Sequence, residues 1–168
     1  RTANQADLKN ELNRLKQQGR ADNIKGHWIV NLVEALPESA LHTSNDGKWV
    51  LIYANAGDCS DDCEFSLYTL RQARRMLGRE MDRLVRVFLH GNSPLDTVLL
   101  AEEHEGLVTL QDGDLAALLR RETPDDLEPG GYYLVDPRGN LVLYFSPDID
   151  PAAMVEDIKH LLELSRIG

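Results

Sequence analysis

Two continuous apolar runs flank a helix-patterned segment, and that arrangement leaves few folds open. Trp49-Val50-Leu51-Ile52-Tyr53-Ala54 and Leu84-Val85-Arg86-Val87-Phe88-Leu89 lack the apolar–polar alternation of a half-buried strand. Both read as strands covered on both faces. Between them, Phe65, Leu67, Leu70, Ala73, Met76 and Leu77 recur at spacings of three and four over residues 60–77, and Gly78 supplies the stop. Strand, helix, strand in this order is a βαβ unit, whose strands run parallel with a right-handed crossover.

The remaining pattern extends that unit. His27 to Val33 reads as a further strand, and Asn45-Asp46-Gly47 as a turn. Residues 94–103 are expected to form a helix with Pro94 in its first turn. Leu107 to Leu110 is a short strand, and Asp112 to Arg121 a helix with an aspartate near its start. Gly131 to Val135 and Leu141 to Phe145 form a hairpin around Asp136-Pro137-Arg138-Gly139-Asn140, expected to add an antiparallel edge. Asp150 followed by Pro151 opens a last helix reaching about Ser165. The predicted fold class is α/β: a central mixed sheet with helices on both faces.

Composition sets the limits. A length of 168 residues, 42% hydrophobic and 27% charged, suits one soluble domain with its own core. No stretch reaches the ~18–20 apolar residues of a membrane span. The net charge of −10 disfavours nucleic acid as a partner, since that needs a basic footprint. The charge is uneven: residues 1–25 carry six Lys or Arg against three Asp or Glu. With Leu8, Leu12 and Leu15 at helical spacing and Gly19 as a stop, this segment reads as a basic helix set apart from a domain over residues 26–168.

Chemistry concentrates at Cys59 and Cys63, the only cysteines. Two cysteines exclude a disulfide-rich scaffold and a four-cysteine zinc site. They lie between the end of a strand and the start of a helix, where the helix N-terminus favours a thiolate. A separation of four puts Cβ atoms ~5–6 Å apart on a helix, near enough for a disulfide after modest adjustment. Two converging thiolates also suit Cu(I). Packing cysteines, or an inert disulfide, are the alternatives. The polar neighbours Asp58, Ser60, Asp61, Asp62 and Glu64 argue for an exposed loop.

The run Gly47-Lys48-Trp49-Val50-Leu51-Ile52-Tyr53, then Cys59-x-Asp61-x-Cys63, then an amphipathic helix, resembles the Sco/SenC family. Tyr133-Leu134-Val135-Asp136-Pro137-Arg138-Gly139-Asn140-Leu141 resembles that family's strand–DPxG–strand hairpin. The resemblance spans about residues 26–165 and implies a thioredoxin-like fold. It also implies a role in assembling the CuA centre of cytochrome c oxidase by thiol–disulfide exchange, copper delivery or both. Cys59 would then be the attacking thiolate and Cys63 the resolving one. The implied partners are an oxidase subunit, another assembly factor or a thioredoxin-like protein. The implied location is the periplasmic face of the bacterial inner membrane, held by an N-terminal anchor outside this chain.

No cofactor is required by this reading, with Cu(I) the metal the pair could take. The family's copper-binding histidine lies eight residues before the hairpin aspartate, where this chain has Glu128; a carboxylate is a hard donor for Cu(I). His90, ending the second buried strand, is the other candidate third ligand. His104, among Glu102, Glu103 and Glu105, is expected to be solvated. His27, His42 and His160 have no evident partner. A Cu(I) metallochaperone with a replaced third ligand, or a non-catalytic scaffold, are the competing functions. A peroxiredoxin is disfavoured, because Ala56 stands where that family has a threonine.

Overall fold

The computed structural model describes residues 24–29 and 47–165. The expected basic helix within residues 1–25, and the expected strand beyond Ile29, lie largely outside the described residues.

Among the described residues, six strands form one sheet. They are β1 (His27–Trp28), β2 (Trp49–Asn55), β3 (Leu84–His90), β4 (Val108–Leu110), β5 (Tyr132–Val135) and β6 (Leu141–Phe145), in the spatial order β1-β6-β5-β2-β3-β4. The βαβ expectation holds: β2 and β3 pair in parallel over seven residues, Trp49 with Leu84 through Asn55 with His90. On its other side β2 pairs antiparallel with β5. The sheet is therefore mixed and the class is α/β. The hairpin does not end the sheet as expected, because β1 pairs with β6 and takes the edge.

Helix α1 (Asp61–Met76) crosses between β2 and β3. A 3-10 helix (Gly78–Arg83) follows it, and then come α2 (Thr97–Glu103), α3 (Gly113–Glu122) and α4 (Pro151–Leu164). Alternation along the strands divides the core. Trp49, Leu51 and Tyr53 face one side with Leu67 and Leu70 of α1 and Ile158 and Leu161 of α4. Val50 and Ile52 face the other with Leu115 and Leu119 of α3. Trp49 through Ile52 are completely buried, which is why this run carries no polar alternation.

Local chemistry sets the helix ends. Ser60 caps α1 by accepting from the Cys63 N–H, Asp112 caps α3 through Leu115, and Asp150 caps α4 with Pro151 at its start. Gly78 has φ 61°, as the stop after α1 requires. The helix expected over 94–103 begins later, at Thr97, because Asp96 is its cap and accepts from the Leu99 N–H. Pro94 lies before that cap.

The β5–β6 turn is held by one side chain. Asp136, 4% exposed, accepts from the backbone N–H groups of Arg138 and Asn140 through Oδ1, each at 2.9 Å, and from Asn140 Nδ2 through Oδ2. Burial still pushes its carboxyl above the usual aspartate range. Replacing Asp136 with Ala leaves three donors without an acceptor. The expected cost is about 2–4 kcal/mol in denaturant unfolding; a loss below about 0.5 kcal/mol would show that the turn holds without this side chain.

Candidate functional site

The parallel ladder brings two chain ends to one edge of the sheet. β2 ends at Asn55 directly opposite His90, the last residue of β3. The Cys59 loop leaves from the first and Gly91 follows the second. Asn55 Oδ1 accepts from the Gly57 N–H at 3.0 Å, which bends the loop. The two segments touch: a Cβ on Gly91 would lie 2.2 Å from the Ala56 carbonyl oxygen. Glycine is required there by close approach rather than by its dihedral angles.

Cys59 and Cys63 form a disulfide with a Cα–Cα distance of 5.0 Å. Their environments differ. Cys59 precedes the Ser60 cap and is exposed, whereas Cys63 is 1% exposed. This corrects the expectation of an exposed loop for both. Cys63 lies in the first turn of α1, on the stripe that continues through Leu67 and Leu70 into the core. The acids expected to surround the pair, Asp58, Asp61, Asp62 and Glu64, are exposed. Beneath the loop, Tyr53 packs against Phe88 and Tyr132. Burial raises the pKa of its hydroxyl, and the neighbouring Ser66 and Asn55 side chains offset part of that rise.

His90 stands next to this pair. It and Cys59 line one cavity of about 230 Å3 together with Leu67, Phe88, Pro94 and Leu99. The His90 Nδ1–H donates to the Gly91 carbonyl at 2.9 Å; a carbonyl only accepts, so in the neutral ring Nε2 carries the lone pair. His90 also lines a second cavity of about 540 Å3, bounded by Ala56, Arg120, Thr123, Pro129 and Tyr133. Glu128 belongs to neither cavity. Its side chain is exposed and its carbonyl accepts from the Tyr144 hydroxyl, which in turn accepts from the Gly131 N–H. The structure thus brings Cys59, Cys63 and His90 to one edge and leaves Glu128 outside the cysteine cavity. Among the described residues no group of three or more His, Cys, Asp or Glu could hold a metal ion. The donor set present is a sulfur pair, which suits electron transfer between dithiol and disulfide without a third ligand.

One other side chain departs from expectation, and a second was not singled out in the sequence. His104 is buried rather than solvated, with 6% exposure. It closes α2 by donating its N–H to the Leu100 carbonyl, and its own carbonyl accepts from Leu107, folding the turn inward. Burial and the nearby cations Arg71 and Arg86 lower its pKa. Arg86 is buried in the middle of β3. A single charge inside a continuous apolar run was the signal that could have marked it.

The family model for the transmembrane-like, thioredoxin-like C-terminal domain matches residues 49–165. The chain belongs to this family. The match takes in both cysteines, His90 and Glu128. Solved structures agree on the fold. ScoI of Arabidopsis thaliana with copper bound has 17% sequence identity, a TM-score of 0.57, and coverage of 74% of this chain and 89% of that one. Apo Sco1 of Thermus thermophilus has 18% identity, a TM-score of 0.55, and coverage of 85% and 98%. A SCO1/SenC family lipoprotein of Bacillus anthracis has 15% identity, a TM-score of 0.51, and coverage of 71% and 84%. At such identities the likeness is one of fold, and it is the Sco-type thioredoxin-like fold that the sequence resemblance implies. No curated protein matches the sequence.

The contact between Gly91 and Ala56 gives a test of how the site is held. Gly91→Ala forces a backbone shift, with an expected cost of about 1–3 kcal/mol. Because the strain falls on the cysteine loop, the disulfide of the variant should also be reduced faster by dithiothreitol. Wild-type stability together with wild-type reduction kinetics would show that the contact constrains nothing.

Proposed function

We propose that the chain is a Sco-like thiol–disulfide redox protein that works through Cys59 and Cys63. The observation that carries this reading is the unequal exposure of the two sulfurs at the start of α1. Only Cys59 is open to attack by, or on, a partner.

Starting from the disulfide, a partner thiolate attacks Cys59 Sγ. A mixed disulfide forms and the Cys63 thiolate leaves, to be protonated. A second partner thiol, once deprotonated, attacks the partner sulfur of that mixed disulfide and expels Cys59 as a thiolate. The partner dithiol is oxidised, and this chain gains two electrons and, once both thiolates are protonated, two protons. In the opposite direction the Cys59 thiolate attacks a partner disulfide. Cys63, deprotonated, then closes on Cys59 and releases the partner as a dithiol. His90 lines the cavity beside Cys59, which puts an imidazole at the edge where the sulfurs exchange.

The fold shared with Sco proteins supports cytochrome c oxidase assembly as the setting, with an oxidase subunit or a thioredoxin-like assembly factor as the partner. The fold shared with a SCO1/SenC family lipoprotein supports a membrane-associated, extracytoplasmic location. No helix among the described residues is long and apolar enough to cross a membrane. An oxidising compartment also fits a disulfide-bonded site.

Single cysteine variants test the assignment. Cys63→Ser should accumulate a stable mixed disulfide with a small aromatic disulfide reagent. Cys59→Ser should react at least about tenfold more slowly, because its remaining sulfur is buried. Equal rates would overturn the division of roles. The acids beside the pair oppose a stabilised thiolate, so the reduction potential should lie well below the roughly −120 mV of the strong oxidant DsbA. An anaerobic Cu(I) titration of the reduced protein separates the second reading. Tight stoichiometric binding that is lost in Cys59→Ser would establish a copper chaperone instead.

A further inference from the structure

A third cavity lies toward the other end of α1, about 12–18 Å of helix from Cys63 by the usual rise per residue. It has a volume of about 420 Å3, and four arginines line it: Arg71, Arg74 and Arg75 of α1 and Arg86 of β3. Arg86 occupies a core position. Leu84 and Phe88, two residues to either side, belong to the core beneath α1, and Arg86 itself is 4% exposed. Its Nη2 donates to the Glu105 carbonyl. Gly106, with φ +87°, lets that turn close over the guanidinium, since a Cβ there would meet Nη2 at 3.3 Å. The Nε and Nη1 atoms of Arg86 are buried with no hydrogen-bond partner among the described residues, and so is Nε of Arg71. Buried donors are normally satisfied, and buried charges are normally paired.

The charges around Arg86 do not pair it. Arg71 meets Glu103 at 3.4 Å and Arg74 meets Asp82 at 3.2 Å, so those two arginines have acids of their own. Glu102 and Glu105 also line the cavity, but both are exposed. Burial, and then the cations Arg74, Arg75 and Arg71, pull the pKa of Arg86 down to about 10. A guanidinium held among like charges with open donors is an anion receptor.

We propose that this cavity binds a phosphate-class oxyanion, with Arg86 as its buried anchor and Arg75 as its contact at the rim. A tetrahedral anion accepts from donors that arrive from separate side chains. A single carboxylate is better matched to one guanidinium fork, and here the donors are spread over Arg71, Arg75 and Arg86. The cavity has room for more than the anion, so a phosphate monoester fits as well as free phosphate. The site is separate from the disulfide and does not rest on the redox reading.

The test uses the full chain, with thermal melts and calorimetric titration at constant ionic strength. Inorganic phosphate should raise Tm in proportion to its logarithmic concentration, whereas chloride should not. Arg75→Ala, at an exposed position, should fold normally and weaken binding about tenfold, the loss of one charge-assisted contact. Arg86→Met, which keeps an apolar stem, should abolish binding; if that variant fails to fold, Arg75→Ala decides alone. Glycerol 3-phosphate as a second probe identifies the source: tighter binding than phosphate points to a phosphoester, and equal binding to the free ion. No phosphate-dependent shift in the wild type, or the same shift in wild type and Arg75→Ala, would overturn the proposal.

Discussion

The burial of β2 on both faces is the constraint on which the rest of the molecule depends. Trp49 through Ile52 are completely buried, and each such side chain contributes roughly 1.5–3 kcal/mol. That burial is possible only with strands on both sides and helices above and below. β3 and β5 supply the strands, α1 and α4 cover one face, and α3 covers the other. Because β2 and β3 run parallel and in register, their ends release two loops at the same edge of the sheet. The disulfide, His90 and the Gly91–Ala56 contact all meet there for that reason. Ligand sites in open α/β sheets lie at the carboxyl ends of strands for the same geometric cause.

The disulfide gains its asymmetry from the helix that begins between its two cysteines. Cys59 lies before the cap and Cys63 inside the first turn. A separation of four residues therefore spans the change from solvent to core. Three influences compete at the exposed sulfur. The α1 N-terminus favours a thiolate by up to about 1 kcal/mol where exposed. The acidic neighbours oppose it by a similar amount, weakened by screening. Access then discriminates between the sulfurs more strongly than either electrostatic influence, because it acts on only one of them. The same helix carries the arginines at its far end, where cations suit the C-terminal dipole and where Arg86 rises from the sheet beneath them.

Secondary structure was legible wherever burial and capping agreed. The two apolar runs, the stripe of α1, the Asp112 and Asp150 caps and the hairpin turn all form where their residues place them. Pro94 misled because a proline at the first helical turn and a proline just before a capped helix look alike until Asp96 is seen accepting from Leu99. Cys63 and His104 misled in the same way. Their polar sequence neighbours suggested water, but a helix turns each side chain by its position and not by its neighbours. Spacing could not place Glu128 and His90 against the cysteines, since His90 is set by the β2–β3 ladder and Glu128 by how Tyr144 pins the 128–131 loop.

Local sequence was enough to set the α/β class, the parallel pair and the position of the cysteine pair at a strand–helix junction. These follow from periodicity, capping and local spacing, all short-range properties of the chain. Tertiary structure alone decided that one sulfur is exposed and the other buried, that His90 shares a cavity with Cys59, and that β1 closes the edge. It also decided that four arginines, from α1 and from β3, surround one cavity. Those facts depend on which faces meet across the sheet. Residues far apart in the chain meet only after the whole core has packed, and no local pattern encodes that.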